Sequence, residues 1–220
     1  MNVAGNVVLI VVDIQGGDVE ASAARTEIPH MDGRAERAPK VRELIARTRE
    51  QGIPVVWIQE VHKPNLVDIG RELDGAEGPH CIEGRPETEL SRGLEPHPDE
   101  FLIRKRRYSA FFGTELEIVL KAYRAETVIL IGGLTDVCVH YTAVDAHQHD
   151  YRVRVVTDCV GGSSREAHDA ALRAIHYLQR DALVEQRDVL EWLATATPNP
   201  EVERADRTHL AGLSGLPERV

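Results

Sequence analysis

An unbroken apolar run, Thr127-Val128-Ile129-Leu130-Ile131, stops at Gly132-Gly133 and passes through Leu134-Thr135-Asp136-Val137 to Cys138. Apolar β-forming residues without polar alternation suit a strand buried on both faces, and such strands belong to parallel sheets. A helix-like stretch follows, from Val139 to about Asp150. Cys138 thus falls where a buried strand gives way to the first turn of a helix. Unpaired N–H groups and the positive end of the helix dipole favour thiolate there, and the same N–H groups can hold an oxyanion.

The rest of the chain repeats the strand-then-helix pattern. Val7–Val12 reads as a second strand buried on both faces, ending at Asp13. Ala35–Glu50 reads as a helix stopped by Gly52, Pro54–Gln59 as a strand, and Glu100–Arg104 as a short strand leading to Lys105. A helix is expected over Thr114–Tyr123 with Thr114 as N-cap, and a strand over Arg152–Thr157. Ser163 and Glu166 have capping-box spacing before a helix to about Gln179. A last strand, Ala182–Glu185, and a last helix, Asp188–Ala194, complete the series. Alternation of this kind predicts a single α/β domain, a doubly wound and mostly parallel sheet with helices on both faces. The domain is expected over 1–195, with a polar tail at 196–220. Residues 60–98 hold five of the eleven prolines and little periodicity, as function-bearing loops do.

Functional groups in such sheets collect beyond the carboxyl ends of the strands. Asp13, Lys105 and Cys138 each stand just past a predicted strand end, which makes them one constellation. Cys159 also follows a predicted strand, but no helix opens directly on it. His140 is a poor base for Cys138, because side chains two apart on a helix diverge.

Composition narrows the partners. Twenty-six basic against 36 acidic residues give a formal charge of −10, which argues against nucleic acid or an anionic membrane. No apolar run is long enough to span a bilayer, no secretory signal is evident, and three cysteines fit a reducing cytoplasm.

The pieces Val11-Val12-Asp13-Ile14-Gln15, Lys105-Arg106-Arg107-Tyr108-Ser109-Ala110-Phe111-Phe112-Gly113-Thr114 and Gly132 through Thr142 together resemble the isochorismatase-like cysteine hydrolases across roughly residues 6–185. The resemblance implies an Asp13–Lys105–Cys138 catalytic triad, a cis peptide joining Gly133 to Leu134, and an oxyanion hole made by the backbone N–H groups of Leu134 and Cys138. It also implies hydrolysis of an amide or ureide bond in a small molecule through a thioester, and assembly as a homodimer or homotetramer. Members that cleave vinyl ethers lack the cysteine, so Cys138 speaks against that alternative. Intact Asp13, Lys105 and Cys138 together speak against a silent scaffold that keeps only the fold. Glu60, His62, Tyr108 and Phe111 are expected to bind substrate. Nicotinamidases of the family place Asp-x-His and a later His around a metal. This chain has Glu60-Val61-His62 and His80 instead, so the reading is of no cofactor, with a divalent ion at those three residues as the rival.

Overall fold

The computed structural model of the protein describes residues 1–17 and 28–197. Its sheet has six strands: β1 (Asn6–Val12), β2 (Val55–Glu60), β3 (Phe101–Lys105), β4 (Ala125–Gly133), β5 (Arg152–Gly161) and β6 (Leu183–Val184). The spatial order is β3-β2-β1-β4-β5-β6, and every pairing is parallel. Among the described residues five helices, α1 (Arg34–Glu50), α2 (Leu116–Ala122), α3 (His140–Gln148), α4 (Arg165–Leu178) and α5 (Gln186–Leu193), cover both faces. This is the doubly wound α/β domain that the alternation predicts. Of the expected 196–220 tail, residues 198–220 lie outside the described residues.

The two-sided burial of β1 explains its unbroken apolar run. Val8, Ile10 and Val12 face one core, which takes in Leu116 and Leu120 of α2, Ala143 of α3 and Ile175 of α4. Val7, Leu9 and Val11 face the other, packed on Val41, Leu44 and Ile45 of α1 and Val189 and Leu193 of α5. Each fully buried aliphatic side chain of this kind contributes about 1.5–3 kcal/mol.

Most boundaries agree with the sequence reading to within two or three residues, and the departures have local causes. Strand β5 runs on to Gly161, so Cys159 lies inside a strand and not beyond one. The cap of α4 is Ser164, whose side chain accepts from Ala167 N at 3.1 Å, and not Ser163. Ser163 is engaged elsewhere, its N–H and hydroxyl both donating to Asp136. Helix α2 starts after Glu115, and the Thr114 hydroxyl accepts from Leu116 N at 3.2 Å.

Candidate active site

The sheet brings the carboxyl ends of β1, β2, β3 and β4 to one rim, and each contributes one reactive group there. Strand β1 stops at Val12, and Asp13 takes a left-handed turn (φ 48°) at its end. Gln15 fastens this turn to its neighbours. Its Nε2 donates to the carbonyls of Glu60 (2.9 Å) and Thr88 (2.7 Å), and its Oε1 accepts from Glu60 N (3.0 Å). Glu60 and Lys105 are the last residues of β2 and β3 and are paired in register. Lys105 thus ends its strand, where the sequence reading had placed it one step beyond.

Lys105 is wholly buried, and its ammonium is the hub of the site. It lies 2.9 Å from Asp13 Oδ2, donates to Glu60 Oε2, and donates to Cys138 Sγ at 3.3 Å. Cys138 Sγ in turn lies 3.5 Å from Glu60 Oε2. Neither oxygen of Asp13 accepts an aligned hydrogen bond, although both are buried. The approach of Lys105 to Asp13 is an ion pair without hydrogen-bond alignment.

Cys138 is placed by the turn after β4. At Gly132 (φ 117°) an added Cβ would stand 1.9 Å from the carbonyl oxygen of Val12, so only glycine lets β4 approach β1 this closely. The Gly133–Leu134 peptide is cis, as the resemblance implies. Residues Thr135–Val139 then form one wide π-helical turn, in which Val139 N donates to Leu134 O at 3.0 Å. Asp136 accepts from Ser163, and Thr135 Oγ1 meets His168 Nδ1 at 2.9 Å, tying the turn to α4.

Electrostatics separate the roles of these groups. Burial pushes the Asp13 carboxyl up to about 6 against the pull of Lys105. Burial acts on Glu60 in the same sense. There the charge of Lys105 and the hydrogen bonds from His62, His80 and Lys105 win, holding Glu60 well below the usual carboxylate range. Burial opposes the charge of Lys105, yet Asp13, Cys138 and Glu60 around it keep the ammonium protonated far above neutrality. Cys138 departs from expectation. Burial raises its thiol well above the ordinary value, Lys105 opposes, and Asp13 and Glu60 add to the rise. The helix-end argument for a resting thiolate fails here, because two carboxylates and desolvation outweigh the end of one helix. The sulfur rests as a thiol.

A cavity of about 260 Å³ opens onto the sulfur. Asp13, Glu60, Tyr108, Leu134 and Cys138 all line it, as does Cys81, and Arg34 and Arg37 stand in its wall. Two expected substrate contacts lie elsewhere. His62 is fully buried behind Glu60 and outside the cavity lining, and the Phe111 ring stacks on His149 and Tyr151, in the turn that follows α3.

His62 and His80 instead close around the far side of Glu60. Glu60 Oε1 is 2.9 Å from His80 Nε2 and 3.3 Å from His62 Nε2, and Glu72 Oε2 is 3.3 Å from His62 Nε2. Ligand atoms of Glu60, His62, Glu72 and His80 lie within 4.8 Å of one another, and all four residues are buried. Sequence reading missed Glu72, which sits in a single 3₁₀ turn (Glu72–Asp74) inside the irregular segment and has no periodic signal. Two imidazoles and two carboxylates are proper ligands for zinc or iron(II). Both Glu72 oxygens lack an aligned hydrogen bond, so the donor set fits a divalent ion. Asp13, Glu60 and Cys138 also converge, but the ammonium of Lys105 already bonds or ion-pairs with each of them.

Comparison with known proteins follows the same lines. The isochorismatase domain family matches residues 7–185. A maleamate amidohydrolase of Pseudomonas putida is 36% identical over 145 residues, covering 65% of this chain and 68% of that protein. A ureidoacrylate amidohydrolase of Methylobacterium radiotolerans is 28% identical over 190 residues, 76% of this chain and 72% of that one. The crystal structure of an isochorismatase-like hydrolase from Alkaliphilus metalliredigens superposes with a TM-score of 0.73 at 26% identity, covering 85% of this chain and 98% of its own.

Proposed function

This chain belongs to the isochorismatase domain family, and on that footing we propose that it is a cysteine amidohydrolase that cleaves a small amide or ureide through a thioester. Relatives named as amidohydrolases place it among hydrolases of carbon–nitrogen bonds other than peptide bonds. The observation that carries the finer reading is the Lys105 ammonium in contact with Asp13, Glu60 and Cys138 at the edge of one cavity. The catalytic domain is read as residues 1–195.

Two carboxylates flank the thiol, and their environments divide the work between them. Glu60 is held ionised by Lys105 and two imidazoles, so it is a poor proton carrier. Asp13, raised to about 6 and without aligned donors, is suited to gain and lose a proton near neutrality. The substrate carbonyl sits with its oxygen on the N–H groups of Leu134 and Cys138, an interaction worth about 3 kcal/mol per donor at the transition state. The sulfur attacks the carbonyl carbon as its proton passes to Asp13, and Lys105 stabilises the charge developing on sulfur. The C–S bond forms and the carbonyl oxygen becomes an oxyanion. Asp13 then returns the proton to the substrate nitrogen, the C–N bond breaks, and ammonia or an amine leaves a thioester. Water attacks that thioester, giving its proton to Asp13. The C–S bond breaks, the acid departs, and Asp13 reprotonates the sulfur.

A divalent ion held by Glu60, His62, Glu72 and His80 would supply a Lewis acid beside the cavity, and the proton transfers above use only side chains of this chain. Ammonia release from a panel of small amides and ureides tests the proposal. The wild type turns over at least one of them and Cys138→Ala none; full activity in that variant rejects the mechanism.

A further inference from the structure

The wall of the cavity carries two guanidinium groups whose charge no described residue neutralises. Arg34 is the first residue of α1, and Arg37 lies one turn on, facing the same side. Both line the cavity that opens onto Cys138. Arg34 Nη2 donates to Gln15 O at 2.6 Å and to Ser91 Oγ at 3.3 Å, which holds it against the Asp13–Gln15 turn. Arg37 Nη1 donates to Asp32 O at 2.8 Å, and Nη2 to Met31 O at 3.5 Å. Its guanidinium also covers Gly161, where an added Cβ would fall 2.7 Å from Nη2. Gly161 pairs in register with Gly133, so Arg37 lies beside the Gly133–Leu134 link.

All these partners are neutral carbonyls and a hydroxyl. Among the described residues no carboxylate forms an ion pair with Arg34 or Arg37, and Glu36 acts on Arg37 only at longer range. Arg154, Arg49 and Arg106 each meet a carboxylate at 2.7 Å, and Arg85 in the same cavity has Glu87 at 3.7 Å. Burial works against the charge on both Arg34 and Arg37. A cation taken partly out of water without a counter-charge costs free energy that a bound anion offsets. The guanidinium fork matches a carboxylate geometrically, and hydrogen bonds between charged partners are the strong ones. Both groups stand on the same rim as the sulfur, so an anion there belongs to the molecule being cleaved.

We propose that Arg34 and Arg37 form a carboxylate subsite, and that the substrate is an amide or ureide carrying a carboxylate at the end remote from the scissile bond. This deepens the amidohydrolase reading and rests on it. The arginines orient the substrate by its acid end and present its carbonyl to Cys138. Neutral amides of the same shape fit the cavity without that anchor.

Calorimetric titration of the full chain tests the subsite without any chemistry, with succinate as the anionic probe and succinamide as its neutral counterpart. Succinate is expected to bind at least about tenfold more tightly than succinamide at low salt, with the margin narrowing as sodium chloride is added. Arg34→Gln and Arg37→Gln should each weaken succinate binding about tenfold or more and leave succinamide binding unchanged. Arg34→Lys keeps the charge and part of the affinity, and it stands in if Arg34→Gln fails to fold. Equal affinity for the two probes, no binding of succinate, or arginine variants that bind succinate as tightly as the wild type would each overturn the proposal. Turnover separates the two readings: ammonia release from succinamate with none from butyramide supports the subsite. Equal release from both removes the subsite and keeps the amidase. Release neither from these two nor from any other amide removes the amidase, while the titration still judges the subsite.

Discussion

Glu60 and Lys105 are register partners at the carboxyl ends of β2 and β3, and the ion pair that anchors the site follows from that pairing. Neighbouring strands present partnered side chains to the same side of the sheet. The same strands and the turn after β1 bring Asp13 to within 2.9 Å of the ammonium. Replacing Glu60 with Gln leaves Lys105 one carboxylate and strips His80 of its nearest carboxylate. Breaking one side of a buried pair costs about 3–5 kcal/mol, so urea unfolding should show a loss of that order. Glu60 also raises the Asp13 pKa, so the acid limb of the activity profile should move to lower pH in this variant.

Cys138→Ala should lose turnover by about a thousandfold or more while keeping a cooperative thermal transition near that of the wild type. Because burial holds the sulfur as a thiol, alkylation of Cys138 by iodoacetamide at pH 7 should be slower than that of a free thiol. The rate should climb as the pH is raised. Mass spectrometry of the labelled chain, read against Cys81 and Cys159, decides. A Cys138 that labels faster than a free thiol at neutral pH would contradict the electrostatics of the site.

The acid limb of kcat/KM should report Asp13. Its carboxyl is raised to about 6 by burial, and the ionised form is the one that accepts the thiol proton. Activity should therefore rise with pH through about 6 and level off above it. Asp13→Asn should lower kcat by about 10²–10⁴ and remove the limb. A profile that falls with increasing pH across that range would exclude Asp13 as the base.

The buried histidines give stability its own pH dependence. The His80 pKa is raised to about 10 by Glu60 and Glu72 in spite of burial. A group whose folded pKa exceeds its unfolded value contributes fully below the unfolded value, near 6.5, and loses that contribution as pH rises through the folded one. Thermal unfolding of metal-free protein should therefore show a falling midpoint between about pH 6.5 and 10, and His80→Gln should flatten the slope. Zinc bound by the same imidazoles needs them neutral, so its affinity should increase over that interval with release of protons, measured by calorimetry in buffers of different ionisation enthalpy.

What could be read from the chain, and what could not, divides along periodicity. Continuous apolar runs mark β1 and β4 because both faces of each are covered, and their ends deliver Asp13 and the turn to Cys138. Lys105 stood in a run of four basic residues, Arg104 to Arg107, and the motif after it selected it. Glu60 was singled out as a substrate contact, yet its part as partner to Lys105 depends on strand register, which no local pattern carries. Glu72, Arg34 and Arg37 are brought to the site by loop geometry and by the docking of α1, so their spacing in the chain gives no sign of it. The thiol's raised pKa was misjudged because the helix end was visible in the sequence and the two carboxylates beside the sulfur were not both assigned there.

One further consequence follows from the contact between Gly132 and the Val12 carbonyl. A single extra methyl at that position would wedge apart the two strands whose ends hold the base and the nucleophile's turn. Gradual adaptation to new substrates is therefore barred from this side of the pocket and channelled into those cavity-lining positions of α1 and of the segment between β2 and β3 that touch none of Asp13, Glu60, Lys105 and Cys138.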